Sequence, residues 1–395
     1  MILILKWIVF MNILILGAGL MSRAIAYDLC RYSKSSVTIG DNSRDAIRSI
    51  RDFLKDEPLN YIRIKAESIS DISRVFKKMD LVISAVPYKY NYMLAKQAVK
   101  NSTSFIDLGG NNEIVHKELS LMKEARKKGV IIIPDCGLAP GLVSIITRSI
   151  VDEMDHVDFV KIRVGGLPLQ PKPPLDYQLV FSIHGLINEY AEDALILDNK
   201  KIILKPSLTE VEKIRFKKPF GVLEAFLTSG GCSTLPYTYK ERIGYLDYKT
   251  IRYPGHCEKI RLLFELGLAD EKPITIGNKK IIPREVLVEL LDKHLPKKGE
   301  DVVLLRVHSR GDVDNETYDV TYSMVDYGEP EHGISAMMRT TGYPVSITAL
   351  MIEQNVIDEH GAYTPEQVIP PGLFLKEIKR RNINICKKKK HLIKK

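Results

Sequence analysis

From Met11 to Pro134 the chain repeats one pattern: a short apolar run, a turn of small residues, then a stretch whose apolar positions recur at helical spacing. Apolar runs at 13–16, 37–39, 61–64, 80–87, 104–107 and 130–134 are predicted strands, and the segments 20–32, 43–55, 70–79, 91–100 and 113–128 are predicted helices. Runs that are apolar at every position belong to strands covered on both faces. Strands separated by helices imply a parallel, doubly wound sheet.

Beyond Leu142 the character changes. A helix over 142–154 leads into a Pro-rich passage (167–174), and short alternating runs follow. Strands are predicted at 157–164, 178–183, 200–204, 248–253, 302–309 and 318–325, with helices near 257–266 and 283–295. Strands adjacent in sequence with few crossover helices suggest a mostly antiparallel sheet. Helices return at 343–355 and 370–381. The predicted fold class is therefore α/β, a Rossmann doubly wound parallel sheet joined to a second α+β domain containing a mostly antiparallel sheet. The expected divisions are 11–142, 143–342, a C-terminal helical segment 343–385 returning to the first domain, and a basic tail, 386–395.

Composition narrows the class. No apolar run approaches the roughly 20 residues needed to span a bilayer, so no membrane partner is expected. Residues 1–10, MILILKWIVF, lack a small-residue cleavage site and read as an extension ahead of the first strand. The five cysteines are scattered, without the spacing of a zinc site. That points to a reduced, cytoplasmic setting with no metal. The formal charge of +9 owes much to Lys387–Lys390, Lys394 and Lys395. A terminal charge run reads as a solvated end, and no nucleic-acid partner is expected.

Candidate chemistry begins at Met11–Asp41. Strand, Gly17-Ala18-Gly19, helix, strand and then Asp41 is the first half of a dinucleotide-binding unit. Gly17 turns the chain, Gly19 lets backbone N–H groups approach a pyrophosphate, and the helix opening at Leu20 and Met21 adds its dipole. Asp41 would accept hydrogen bonds from the adenosine ribose, which favours NAD; Arg44 keeps NADP open. Ser22 holds the third small position of the fingerprint, which would set helix and strand slightly further apart.

Ligands of such sheets bind at the carboxyl ends of the strands. Three such ends are Ser84-Ala85-Val86-Pro87-Tyr88, Asp107-Leu108-Gly109-Gly110 and 135–141. In the second domain, Asp176-Tyr177 with Ser182-Ile183-His184 brings an acid, a phenol and an imidazole over a short span, and Thr228-Ser229-Gly230-Gly231 has the composition of an anion nest. Alternation at 248–253 puts Lys249 and Ile251 on one face and Thr250 and Arg252 on the other, so Arg252 could hold a carboxylate bidentately.

Gly17–Ser22, Asp107–Gly110, Pro134–Gly141, Val164-Gly-Gly, Pro173–Tyr177, Phe181-Ser182, Leu223–Phe226, Thr228–Gly231 and Lys249–Tyr253 together resemble the saccharopine-dehydrogenase-like superfamily, most closely its NAD-dependent L-lysine 6-dehydrogenases. The resemblance runs from Met11 to about Arg381. It implies a homodimer and a second domain that binds an amino-acid substrate. It also implies NAD-dependent oxidative deamination of the ε-amine of lysine to 2-aminoadipate 6-semialdehyde, which cyclises. Ser22 replaces the usual glycine or alanine of the fingerprint, and Cys136 and His184 occupy pocket positions that vary between branches of the superfamily. Hydride leaves a carbon only when its nitrogen has a free lone pair, so a general base is needed, with His184, Asp107 and Tyr177 as candidates. Arg252 with Lys249, Thr250, Thr228 and Tyr88 would bind the substrate. Gly17, Ala18, Gly19, Leu20, Met21, Asp41, Ser84, Ala85, Val86, Pro87 and Gly109 would bind the cofactor. Alternatives are a saccharopine-type enzyme acting on a secondary amine, an NAD-binding subunit without turnover, and a nucleic-acid-binding protein led by its lysine tail.

Overall fold

In the computed structural model, residues 10–392 are described. All of the N-terminal extension but Phe10, and Lys394 and Lys395, lie outside them. Two units form: the residues up to Ser149 together with Met338–Ile383, and Ile150–Met337 together with the described residues from Asn384.

In the first unit the apolar runs become strands β1 (Asn12–Leu16), β2 (Ser36–Asp41), β3 (Leu59–Arg63), β4 (Leu81–Ser84), β5 (Ser104–Asp107) and β6 (Ile131–Ile133); all but β3 are buried apart from their end residues, and β3 is half-buried to exposed along its length. All neighbours are parallel, in the order β6-β5-β4-β1-β2-β3, with Gly361–Ala362 added outside β6. Between the strands lie helices α1 (Leu20–Tyr32), α2 (Arg44–Phe53), α3 (Ile69–Phe76), α4 (Asn91–Lys100), α5 (Asn112–Leu119) and α6 (Met122–Lys128). Their apolar faces, with Phe76, Leu94, Ala98 and Ala125, close over the sheet. Strand order reverses between β1 and β4, and this is where a doubly wound sheet opens a crevice at its strand ends.

Two expected elements differ here. The helix expected over 113–128 breaks between α5 and α6, where Ser120 Oγ donates to Lys117 O (2.6 Å) in competition with the helical ladder. The strand expected to run to Pro87 stops at Ser84, because Ala85 N–H makes the last rung to Leu16 O (2.8 Å) and Pro87 has no N–H to give.

The second unit is built on a nine-stranded mixed sheet. Its main path runs Glu212–Arg215, Val222–Leu227, Ile243–Arg252, His156–Pro168, Asp301–Val313, Glu316–Tyr327, Ile385–Leu392. Only Ile243–Arg252 and His156–Pro168 pair in parallel. Helices Ile183–Ala191, His256–Glu265 and Pro283–His294 bury Leu186, Ile187, Tyr190, Ile260, Leu287 and Leu291 in a shared core with Phe226.

Three expectations are corrected in this half of the chain. The strand expected at 178–183 is irregular and gives way to the helix Ile183–Ala191, which Ser182 caps by accepting from Gly185 N–H. The helix expected from residue 343 already starts at Ala336, because the Asp301 carboxylate caps Ala336 and Met337 N–H (2.6 and 2.9 Å). The lysine run is no loose end: Ile385–Leu392 is an edge strand antiparallel to Glu316–Tyr327. Lys387 there pairs with Glu153, and Lys389 lies 4.3 Å from the Tyr318 ring.

Candidate functional site

Gly17 adopts φ +108°, closed to most side chains, and a Cβ there would stand 2.8 Å from Ala85 O. Its N–H donates to Gly40 O (2.7 Å), which ties the turn to the end of β2. Ala18 N–H donates to Asp41 Oδ2 and Ser43 N–H to Asp41 Oδ1, both at 2.8 Å. Asp41 thus shapes the turn at the strand end where a ribose would lie.

Gly19 precedes α1 without a side-chain cap, and a Cβ built on it would meet nothing within 4 Å, so the first-turn N–H groups near Leu20 and Met21 look onto open space. Uncapped donors, a helix N-terminus and glycine clearance together fit a pyrophosphate. Ser22 is fully buried and its hydroxyl finds no partner among the described residues. At the end of β4, Ser84 Oγ donates to Asn91 Oδ1 (2.8 Å), while Val86 and Tyr88 are half-buried and Pro87 is exposed. The Tyr88 ring packs on Gly110, where a Cβ would approach it to 3.1 Å.

Asp107, expected as a base, ends β5 with no exposed surface. Its Oδ1 accepts from Gly109 N–H (2.6 Å) and Asp135 N–H (3.2 Å), and its backbone O from Cys136 N–H (2.8 Å). It therefore knots together the loops after β5 and β6. Gly109 is obligatory there, since it has φ +74° and a side chain would overlap the Asp135 carboxylate. Burial pushes the Asp107 carboxyl up, and burial with nearby carboxylates pushes the Cys136 thiol up.

The second unit carries a buried polar chain. Arg252 Nε donates to Tyr190 Oη (2.9 Å), Tyr190 Oη lies 3.1 Å from His256 Nε2, and His256 Nδ1 is 2.9 Å from Leu175 O. A carbonyl can only accept, so Nδ1 carries the proton and Nε2 receives the tyrosine's. Burial, with the Arg252 charge, pushes His256 down to about 3, which keeps the ring neutral. Glu189 Oε1 accepts from Thr250 (2.5 Å) and Thr228 (3.4 Å), and its Oε2 lies 3.7 Å from Arg252 Nη2. The Glu189 side chain keeps 18% of its surface exposed, while Arg252 keeps 4%. Glu189 is thus the solvent-facing end of the chain.

Several expected site residues stand elsewhere. Lys249 faces away from Arg252 and donates to Glu210 O (2.7 Å) and Glu212 Oε2 (3.0 Å), beside Arg163 and its partner Asp247, so it does not share a clamp with Arg252. Arg252 is no free fork, being held by Tyr190, Ile251 O and Glu189. His184 is exposed on the first turn of its helix, and the imidazole beside Arg252 is His256. Tyr177 is buried with its ring 5.0 Å from the Arg252 guanidinium and its hydroxyl without a partner among the described residues. Glu189, Tyr190 and His256 belong to this polar chain without standing out in the sequence. Their signals were the helical spacing of Ile183, Leu186, Ile187 and Tyr190 and an imidazole one turn beyond Arg252.

Among the described residues no group of His, Cys, Asp and Glu is arranged to hold a metal ion, and no helix is long and apolar enough to cross a membrane.

Residues 13–133 match the saccharopine dehydrogenase NADP binding domain, and residues 137–383 match the saccharopine dehydrogenase C-terminal domain. The chain belongs to the saccharopine dehydrogenase family. Family relatives include the saccharopine dehydrogenase [NADP(+), L-glutamate-forming] of Pyricularia oryzae, 22% identical over 96% of this chain and 98% of that protein. The mitochondrial alpha-aminoadipic semialdehyde synthase of Bos taurus is 24% identical over 94% of this chain but only 47% of its own length. The chain therefore spans about half of that relative. The apo saccharopine dehydrogenase (L-Glu forming) of Saccharomyces cerevisiae has the same fold, with a TM-score of 0.78 at 20% identity over 96% of this chain and all of that one.

Proposed function

We propose that the protein is a nicotinamide-dinucleotide-dependent dehydrogenase that oxidises the carbon–nitrogen bond at the ε-nitrogen of a lysine-derived amino acid. The observation that carries this is the glycine turn of the first unit: uncapped α1 donors, clearance at Gly19 and Asp41 at the end of β2, inside a chain of the saccharopine dehydrogenase family. The cofactor, when bound, supplies the hydride acceptor. Gly17–Met21 and Asp41 would hold its phosphate and ribose ends, and Ser84–Pro87 and Gly109 line the neighbouring strand ends.

Within that class the favoured substrate is L-lysine itself. Lysine carries one carboxylate, whereas the secondary-amine conjugate with glutamate carries three and calls for surplus cations. Each buried cation of the second unit's sheet is already matched: Arg252 by Glu189, and Arg163 and Lys249 by Asp247 and Glu212. Glu189, half-open and charge-balanced from behind, is suited to receive a substrate ammonium. The second reading, a saccharopine-type enzyme using NADP, is favoured by the names of the relatives.

The deciding experiment offers NAD or NADP with L-lysine, or with saccharopine, and follows nicotinamide reduction and released L-glutamate. Reduction with lysine and no glutamate supports the first reading, and glutamate release from saccharopine supports the second. Cofactor binding without turnover on any amine would leave a binding subunit.

A further inference from the structure

Beneath the ends of β5 and β6 lies a carboxyl group that the reading above does not use. Glu118, on α5, has no exposed surface, and among the described residues neither of its oxygens meets a hydrogen-bond donor from backbone or from a neutral or cationic side chain. Asp107 Oδ2 is in the same position, its Oδ1 being taken by Gly109 and Asp135 N–H. The two carboxyls face each other. The remaining titratable groups against them are Asp135 and Cys136 from the segment after β6, with Thr348 of the helix Ala336–Glu353 reaching the Cys136 thiol. No cation acts on either carboxyl among the described residues.

Two carboxylates cannot both stay ionised in a dry site without a cation, because each loses its hydration and each repels the other. One proton shared between them removes both penalties. Which group holds it follows from the donors. Asp107 receives two backbone N–H groups, which favour its charged form, and Glu118 receives none. We propose that Glu118 is a positioning residue held as the neutral acid, donating its proton to Asp107 Oδ2.

Asp107 then accepts from three elements at once: the Gly109 turn, the Asp135 turn and α5. Glu118 completes the knot that sets the path of residues 108–111 and 134–141. This rests on the reading that those strand ends border the bound cofactor. Burial raises both carboxyls, Glu118 well above the ordinary glutamate value with the Asp107 charge as second cause, in line with the geometry.

Glu118→Gln and Glu118→Leu in the full chain test this, with thermal melting from about pH 4.5 to 8.5 and titration with NAD and NADP. A carboxyl whose folded pKa is raised makes the fold lose stability as pH climbs from the unfolded value towards the folded one. Gln mimics the neutral acid and does not titrate. The Gln variant should therefore melt close to the parent near pH 4.5 and several degrees above it at pH 8. The Leu variant should melt below Gln at every pH, because Asp107 Oδ2 loses its donor, and should bind cofactor several-fold more weakly than Gln does. A Gln variant that falls below the parent as pH rises would show an ionised Glu118 and overturn the proposal. So would a Leu variant equal to Gln in both melting and binding. If the parent itself binds neither cofactor, the functional reading fails while the melting series still decides the state of Glu118.

Discussion

At the scale of single residues, Gly17 is constrained twice over, by φ +108° and by the carbonyl of Ala85 in the path of any side chain. Gly17→Ala must either take up strain of about 1–3 kcal/mol or push the turn off β4. Cofactor titration by nicotinamide fluorescence should show affinity reduced at least tenfold, and an unchanged affinity would remove the turn from the site. Glu189 makes the opposite kind of prediction. Glu189→Gln keeps the shape and the Thr250 bond but drops the charge. KM for the amino acid should rise by roughly tenfold, the worth of about 1.5 kcal/mol in a charge-assisted hydrogen bond, with cofactor affinity unchanged. Equal loss in both would place Glu189 in general support of the fold. Only part of this was legible from sequence. The glycine turn carries its own local conformational demand, so Gly17, Gly19 and Asp41 could be singled out from the stretch Met11–Asp41 alone. Arg252 could be placed on a face with Thr250 by strand alternation, but not paired, since its partner Tyr190 lies 62 positions away on a helix.

At the scale of elements, the first unit's inner strands were legible because burial makes them apolar along most of their length. The lysine-rich edge strand was not, because nothing in Cys386-Lys387-Lys388-Lys389-Lys390 has strand periodicity and only its pairing with Glu316–Tyr327 creates it. At 178–183 a local alternation competed with the helical spacing that follows, and the Ser182 cap decides for helix. The edge strand has a testable consequence. Adjacent lysines on an exposed edge discourage pairing with another copy. Lys388→Thr with Lys390→Thr should give concentration-dependent self-association in light scattering, and a monodisperse variant would deny the strand that role.

The tie between α1 and the C-terminal segment behaves less intuitively. Arg381 Nε donates to both Asp28 oxygens (2.7 and 2.9 Å), and Ser346 also donates to Asp28. Burial nevertheless outweighs the Arg381 charge and pushes Asp28 up to about 6. A raised carboxyl binds its proton more tightly folded than unfolded, so its contribution is present below about pH 4 and is lost as pH rises to about 6. Asp28→Asn should therefore gain on the parent across that window, by about 3 kcal/mol at most. Urea unfolding at several pH values measures this, and a variant that instead loses ground as pH rises would make the pair a net stabiliser.

At the scale of the whole molecule, the fold class was legible because the switch from crossover helices to adjacent strands near residue 142 is written in the spacing of apolar runs. The boundary itself was less so. The division falls between Ser149 and Ile150, inside the helix Val143–Val151, where no change of composition marks it. Met338–Ile383 belongs to the first unit, and one of its anchors is Gly342, packed where a Cβ would come 2.9 Å from Ala24 Cβ on α1.

This arrangement predicts how ligand binding should read out in stability. A ligand that binds only the folded first unit at a hundredfold over its dissociation constant adds about 2.7 kcal/mol. In a unit of that size each kcal/mol moves Tm by about 2–4 °C, so the preferred dinucleotide should raise the first unit's melting by roughly 5–10 °C. Asp41 accepts two backbone N–H groups at the β2 end, and its carboxylate would repel a 2′-phosphate, so NAD should give the larger rise in the parent. Asp41→Ser should reverse the order or level it. If NADP gives the larger rise in the parent, Asp41 serves the turn alone and the phosphate is met by other groups, with Arg44, which opens α2, and Arg63, paired in register with Asp41, the first to replace.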